Sequence, residues 1–166
     1  ALGRTEEIYK RIEMLSVSDD DNLEMAAFAS FIADQEKKNT AHNFCRNPLS
    51  FIQFNNLSSH IDNSNKFIRE VVDELREINT IWEPNEKATK KGYQLPVHIN
   101  LFANSSGKIS KLQEVIFEAI DAYYLKFKKE DCSFIKKWPS KKDIWGWHVI
   151  LKRQGHQILH IHPDGW

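Results

Sequence analysis

Two cysteines, six glycines and five prolines among 166 residues withhold the raw material of several architectures. Cys45 and Cys132 are far apart in sequence and form no CxxC pair, so neither a disulfide framework nor a cysteine zinc site is indicated. They read as buried or free thiols of a reducing compartment. No stretch of about eighteen apolar residues occurs, and the N-terminus lacks a basic-then-apolar leader, so neither a membrane helix nor a secretory signal is expected. An excess of one charge is missing too: 23 Lys and Arg balance 23 Asp and Glu. Nucleic acid and acidic membrane therefore receive no general electrostatic attraction. The most basic stretch, from Lys126 through Lys142, is diluted by Glu130 and Asp131 and reads as a solvated loop. A soluble, cytoplasmic protein is the expectation.

Signatures of common chemistries are also lacking. No serine or cysteine nucleophile elbow is present, and Ser106-Gly107-Lys108 fails as a phosphate loop because Phe102 stands where a leading glycine is needed and Ile109 where Ser or Thr is needed. Asn56-Leu57-Ser58 and Asn104-Ser105-Ser106 fit the glycosylation sequon but have no secretion signal to accompany them.

What the chain does have is an ordinary globular composition, 41% hydrophobic and 28% charged, enough to bury a core. The pattern over residues 1–42 predicts a helical hairpin. Ile8, Ile12 and Leu15 recur at helical spacing, Asp19-Asp20-Asp21-Asn22 caps a second helix, and Ala26, Ala27, Ala29, Ser30 and Ala33 let helices approach closely. This resembles the end of a tetratricopeptide array, an unrelated helical hairpin being the alternative. After an irregular connector, Asn63 or Ser64 caps a helix carrying Phe67, Ile68, Val71, Val72, Leu75 and Ile78, closed by Trp82-Glu83-Pro84-Asn85. Residues 87–106 read as a loop with one short strand. The longest helix follows, with Ile109, Leu112, Val115, Ile116, Ala119, Ile120 and Tyr123 as its stripe.

The most informative residues come last. Trp145 to Arg153 reads as a strand, Gln154-Gly155 as a hairpin turn, and His156 to His162 as the returning strand. His160 and His162, at i and i+2, then share a face and can share one ion such as Fe, Zn or Mn, a pair of strand histidines hydrogen-bonded to neighbours being the alternative. Asp164 is a carboxylate candidate, although in Pro163-Asp164-Gly165 it also suits a turn. Apolar residues on both faces of the expected hairpin imply that each side is covered, so the two imidazoles would look into a lined cavity. His148 stands across the hairpin as a group that could assist. His42, His60 and His98 show no partner in the sequence. An opening Ala1 and an unfinished final turn suggest a piece of a longer chain.

An ordered set of motifs adds to this reading. Trp82-Glu83-Pro84, Thr89 to Gln94, Asn100-Leu101-Phe102, Tyr123-Tyr124, Trp145-Gly146-Trp147-His148-Val149 and Gln157 to Trp166 together resemble the 2-oxoglutarate/Fe(II)-dependent oxygenases associated with tetratricopeptide repeats. The resemblance covers residues 43–166. It implies an α+β fold in which helices precede the first strands of a double-stranded β-helix, or jelly roll, here truncated. It also implies Fe(II) as cofactor, 2-oxoglutarate as co-substrate and His160 as the proximal iron ligand. A facial triad leaves adjacent positions on the metal for a keto acid and O₂. The wider superfamily has His-x-Asp or His-x-Glu where this chain has His160-Ile161-His162, which leaves three alternatives: His162 as ligand, Asp164 as ligand, or a degenerate site.

The expected organisation is thus a helical hairpin over 1–42 and the N-terminal portion of an oxygenase-like jelly roll over 43–166. The expected function is that of a fragment of an Fe(II)/2-oxoglutarate-dependent dioxygenase acting on a protein or small-molecule substrate, inactive as this fragment. The alternatives are a non-enzymatic helical-repeat interaction module with a vestigial barrel, and a cupin-like metal enzyme of different chemistry. The residues that would bind 2-oxoglutarate and the distal iron ligand are expected beyond Trp166.

Overall fold

Asn22 starts the second helix by accepting the Met25 amide on its side-chain oxygen at 2.9 Å, and Asn63 starts the third by accepting the Lys66 amide at 3.1 Å. Each supplies a partner for one of the amides that a helix leaves open in its first turn. The computed structural model describes residues 4–85, 87–160 and 162. In chain order its elements are α1 (Thr5–Leu15), α2 (Leu23–Glu36), α3 (Ser64–Arg76), β1 (Ile81–Trp82), β2 (Thr89–Gln94), α4 (Gly107–Phe127), α5 (Ser133–Lys136) and β3 (Val149–Gln157). Helices with an antiparallel three-stranded sheet, ordered β1-β2-β3, make the chain α+β. Among the described residues no helix is long and apolar enough to cross a membrane.

The described residues fall into two units. The first holds residues 4–54 and 122–140. There α1 and α2 form the expected hairpin, with Ile12, Ala29 and Ile32 buried against each other and Ile8, Tyr9, Met25 and Ala41 packed around them. The small residues of α2 work as the sequence suggests: Ala26, Ala29 and Ala33 are all buried. Leu15, by contrast, is exposed. A second, aromatic cluster fills the rest of this unit. Phe51 meets Phe127 at 5.0 Å and Phe134 edge-on at 5.5 Å, while the Trp138 ring stacks on Tyr123 and Tyr124 at 5.7 and 5.4 Å. The Lys-rich segment read as a loop contains α5, whose Ile135 is buried.

The second unit holds residues 55–121 and 141–162, apart from Glu86 and Ile161, which lie outside the described residues. Helix α4 contributes its residues to Asp121 here and the remainder to the first unit. Of the broad apolar stripe on α3, Phe67 and Val71 are buried, while Ile68 and Val72 stay exposed. That helix ends at Arg76, before Trp82, which pairs with Tyr93 in the ladder of β1 with β2. Glu74 of α3 caps α4 from a distance. Its carboxylate accepts the Lys108 amide at 2.8 Å and the Ile109 amide at 3.0 Å. A negative group at the first turn of a helix is favoured by the open amides and by the helix dipole.

The hairpin expected at Gln154-Gly155 does not form. Residues 149–157 make one strand, β3, that pairs with β2 on both sides of the supposed turn: Gly92 with Leu151, and Lys90 with His156. Lys91 alone faces residues 152–155, which are extruded as a bulge with Gln154 at φ 64°. Gly155 is tightly placed within the bulge, where a Cβ would lie 2.6 Å from the Lys91 carbonyl and 2.8 Å from the Lys152 carbonyl. What sequence could not weigh was the rival partner. β2 supplies hydrogen bonds both before and after the turn, and Gly92 admits it: a Cβ there would lie 2.9 Å from the Ile150 carbonyl. A bulge that leaves the strand direction unchanged satisfies more backbone groups than a reversal would.

A second expectation fails with the first. Without a returning strand the apolar faces are not covered: Trp145 is 58% exposed, Leu151 47% and Ile158 47%, and Leu159 is fully exposed. His160 and His162 are exposed as well, so among the described residues they face no lined cavity.

Candidate metal centre at the C-terminal histidines

The candidate site begins with the segment that leads into β3. Asn100 holds it in place through one side-chain amide: its nitrogen donates to the Ile144 carbonyl at 2.9 Å, and its oxygen accepts the Gly146 and Phe102 amides at 3.0 and 3.1 Å. The Leu101 amide donates to the Gly146 carbonyl at 2.8 Å, completing a short non-ladder tie. A Cβ at Gly146 would collide with the Phe102 ring, so glycine is required for this approach. The tie fixes Trp147, whose ring stacks on the His162 imidazole with centroids 5.6 Å apart and planes inclined by 29°.

Beyond the bulge, the Ile158 amide donates to the Ala88 carbonyl at 2.8 Å, one pair past the end of the ladder. The Ile158 carbonyl then faces Nδ1 of His160 at 2.8 Å. A carbonyl only accepts, so Nδ1 carries the proton, and in the neutral ring the lone pair lies on Nε2. That nitrogen is 3.1 Å from Nε2 of His162. The two rings thus converge at their tips even though their backbone is not in the strand expected to align them.

This arrangement fits half of a metal site. Two imidazole nitrogens at ~2.1 Å from one ion, in adjacent octahedral positions, stand ~3.0 Å apart. A backbone carbonyl on the other ring nitrogen is the usual support of a metal-bound histidine, because it fixes tautomer and orientation. The same spacing suits a proton of His162 Nε2 donated to His160 Nε2; an ion would bind both nitrogens with that proton moved to Nδ1 of His162. Among the described residues no group of three His, Cys, Asp or Glu side chains could hold a metal. Asp164, the carboxylate candidate, lies outside the described residues.

His148 is placed differently from either imidazole. Its carbonyl accepts the Leu95 amide at 3.1 Å, extending the ladder of β2 with β3. Its two ring nitrogens are shielded from solvent and have no hydrogen-bond partner among the described residues. Burial alone lowers its pKa from the ordinary 6.5, which keeps the ring neutral. It therefore is not the helper across a hairpin that the sequence offered.

His60 lines a second feature, a cavity of about 400 Å³ with Phe67, Lys66, Glu70 and Lys108 among its walls. Of its charges, Lys66, Glu70 and Lys108 are paired. Glu70 pairs with Lys108 at 2.7 Å and with Lys66 at 3.7 Å, and Nδ1 of His60 is 3.4 Å from the Glu118 carboxylate. The hydrogen bond from Lys108 holds the Glu70 carboxyl below its usual range. His42, also without an assigned role in sequence, is 1% exposed and uses both ring nitrogens structurally.

Asn100, Trp147 and the Ile158 carbonyl are the supporting groups that sequence reasoning missed. Asn100 and Trp147 belong to motifs already singled out, but nothing in their spacing shows which backbone groups they meet. Comparison with known proteins identifies no relative: no family model matches the chain, and neither the curated proteins nor the solved structures contain a significant match.

Proposed function

We propose that this chain carries part of the iron centre of an Fe(II)/2-oxoglutarate-dependent oxygenase, with His160 as the first imidazole ligand and His162 as the second, Asp164 being the alternative in place of His162. The three-stranded sheet, on this reading, is the beginning of a double-stranded β-helix. One observation carries the proposal: the 3.1 Å approach of the two Nε2 atoms, with the His160 lone pair directed by the Ile158 carbonyl. The motif resemblance supplies the choice of iron and 2-oxoglutarate over other ions and co-substrates.

Bound Fe(II), with 2-oxoglutarate as co-substrate, would supply O₂ activation for hydroxylation. The chain's own residues hold and orient. His160 is locked in one tautomer, His162 is braced by the Trp147 ring, and Asn100 anchors the segment from which Trp147 projects. The exposed Trp145, Ile158 and Leu159 side chains offer apolar surface that a further strand or a substrate would cover, excluding water from the ligand pair.

Anaerobic titration with Fe(II) and 2-oxoglutarate, made on a chain that also carries the residues expected beyond Trp166, tests this. The expected result is a visible metal-to-keto-acid charge-transfer band that His160→Ala and His162→Ala each abolish. A band lost only with His160→Ala would place the second ligand elsewhere, with Asp164→Asn the next variant. Metal binding without the 2-oxoglutarate band would favour cupin-like chemistry. No metal binding by the wild-type protein would favour the interaction-module reading, which finds its support in Phe28 and Phe31, 45% and 60% exposed on α2.

A further inference from the structure

Cys45 and Cys132, unconnected in the sequence, are brought to one place in the first unit. The Phe134 amide donates to the Phe44 carbonyl at 2.9 Å, and the two rings touch with centroids 5.8 Å apart. That single backbone bond sets the residue after Phe44 beside the residue two before Phe134. Cys132 is further fixed as the N-cap of α5, its carbonyl accepting the Ile135 and Lys136 amides at 3.2 and 3.0 Å. Both thiols are free and half-buried, so each is reachable by a small reagent.

The two groups also sense each other electrically. The Cys45 thiol is pushed up, first by burial and then by the negative charge that Cys132 acquires on ionising. Tyr123, whose hydroxyl donates to the Phe51 carbonyl at 2.8 Å, is raised by burial and then by the charges of Cys45 and Cys132. Two thiols that resist carrying charge together lose that conflict when they are joined, because a sulfur–sulfur bond removes both ionisable groups.

We propose that Cys45 and Cys132 are a redox-responsive dithiol that closes into an intramolecular disulfide on exposure to a low-molecular-weight disulfide such as oxidised glutathione. Cys132 attacks one sulfur of the reagent, forming a mixed disulfide and releasing one glutathione thiolate. Cys45 then attacks the protein-side sulfur of that bond and releases the second. Each protein thiol gives up its proton and each leaving thiolate takes one up. Two electrons pass from the protein pair to the reagent, which leaves as two reduced glutathione molecules. Cys45 acts second because its thiolate is the disfavoured one until the neighbouring sulfur becomes an electrophile. The bond ties the segment after α2 to the start of α5 and closes a loop that contains α3, the first two strands and α4.

The test is incubation of the whole chain with oxidised glutathione, followed by thiol titration, non-reducing mass measurement and peptide mapping. The expected product is a monomer that has lost two hydrogens and both titratable thiols, yields a Cys45–Cys132 linked peptide, and melts roughly 10 °C higher than the reduced chain, as closure of so long a loop implies. Cys45→Ser is expected to stop at a glutathione adduct on Cys132. Persistent glutathione adducts on the wild type, cross-links between chains only, or unreacted thiols would each overturn the proposal. The wild-type map decides the question even where the variant does not fold.

Discussion

Nε2 of His42 donates to the Asp19 carbonyl at 3.1 Å, and its Nδ1 accepts the Phe44 amide at the same distance. One neutral ring thereby joins the acidic turn between α1 and α2 to the segment that leaves α2. His42→Ala would remove the two hydrogen bonds that this 1% exposed ring makes to the backbone. The expected loss is roughly 2–4 kcal/mol of unfolding free energy, read from the urea midpoint. A loss within experimental error would show that water replaces the ring at no cost.

Gly107 has φ +59°, and a Cβ there would stand 2.5 Å from a Glu74 carboxylate oxygen. Gly107→Ala therefore combines a left-handed backbone penalty with displacement of the carboxylate that caps α4. The expected cost is roughly 1–3 kcal/mol in the wild-type background and less in Glu74→Ala, where the cap is already gone. A double-mutant cycle measures the difference. Equal costs in both backgrounds would mean that the backbone strain acts alone.

Trp147→Ala removes the ring stacked on His162 and leaves both imidazoles in place. On the metal-site reading, affinity for Fe(II), or for Co(II) as a spectroscopic substitute, should fall roughly tenfold to a hundredfold, as losses of ligand support do. Asn100→Ala should act in the same direction by freeing the segment that carries Trp147. Isothermal titration of folded variants reads both, and unchanged affinity would sever Trp147 from the site.

His148 gives a pH dependence whose sign follows from burial. Its folded pKa lies below the unfolded 6.5, so the unfolded chain binds the extra proton first as pH falls. Stability is complete above that value and declines as pH drops through it toward the lowered folded pKa. Exposed carboxylates such as Asp20 and Asp131, held below the usual range by hydrogen bonds from Lys137 and Lys136, add their own losses only at lower pH. His148→Phe should flatten the curve in the upper window, as measured by denaturant unfolding at each pH. A curve identical to the wild type would assign the slope to another group.

Much of the helical part of this protein is legible in its sequence. Asn22 and Asn63 announce helix starts because a side-chain oxygen and the amide it caps are only three residues apart. The spacing of Ile8 and Ile12, and the small residues of α2, give the packed face of the hairpin for the same reason: periodicity records which side of a helix is apolar. The His160/His162 pair was equally visible as an i, i+2 arrangement, though its convergence owes nothing to the expected returning strand.

Strand pairing is where sequence alone stops and tertiary structure takes over. Gln154-Gly155 encodes a tight local bend, and Gln154 does take a positive φ. Whether such a bend reverses the chain depends on which strand offers hydrogen bonds on either side, and here β2 offers them before and after it. The same holds for Glu74 over α4, for Asn100 under Gly146, and for the meeting of Cys45 with Cys132. Local sequence determined the helices, their caps and the chemical types of the site residues, because those depend on neighbours a few positions away. Only the tertiary structure decided the register of β3 and the Asp19 partner of His42, because each rests on a backbone group supplied by a segment whose distance in space no spacing in the chain records.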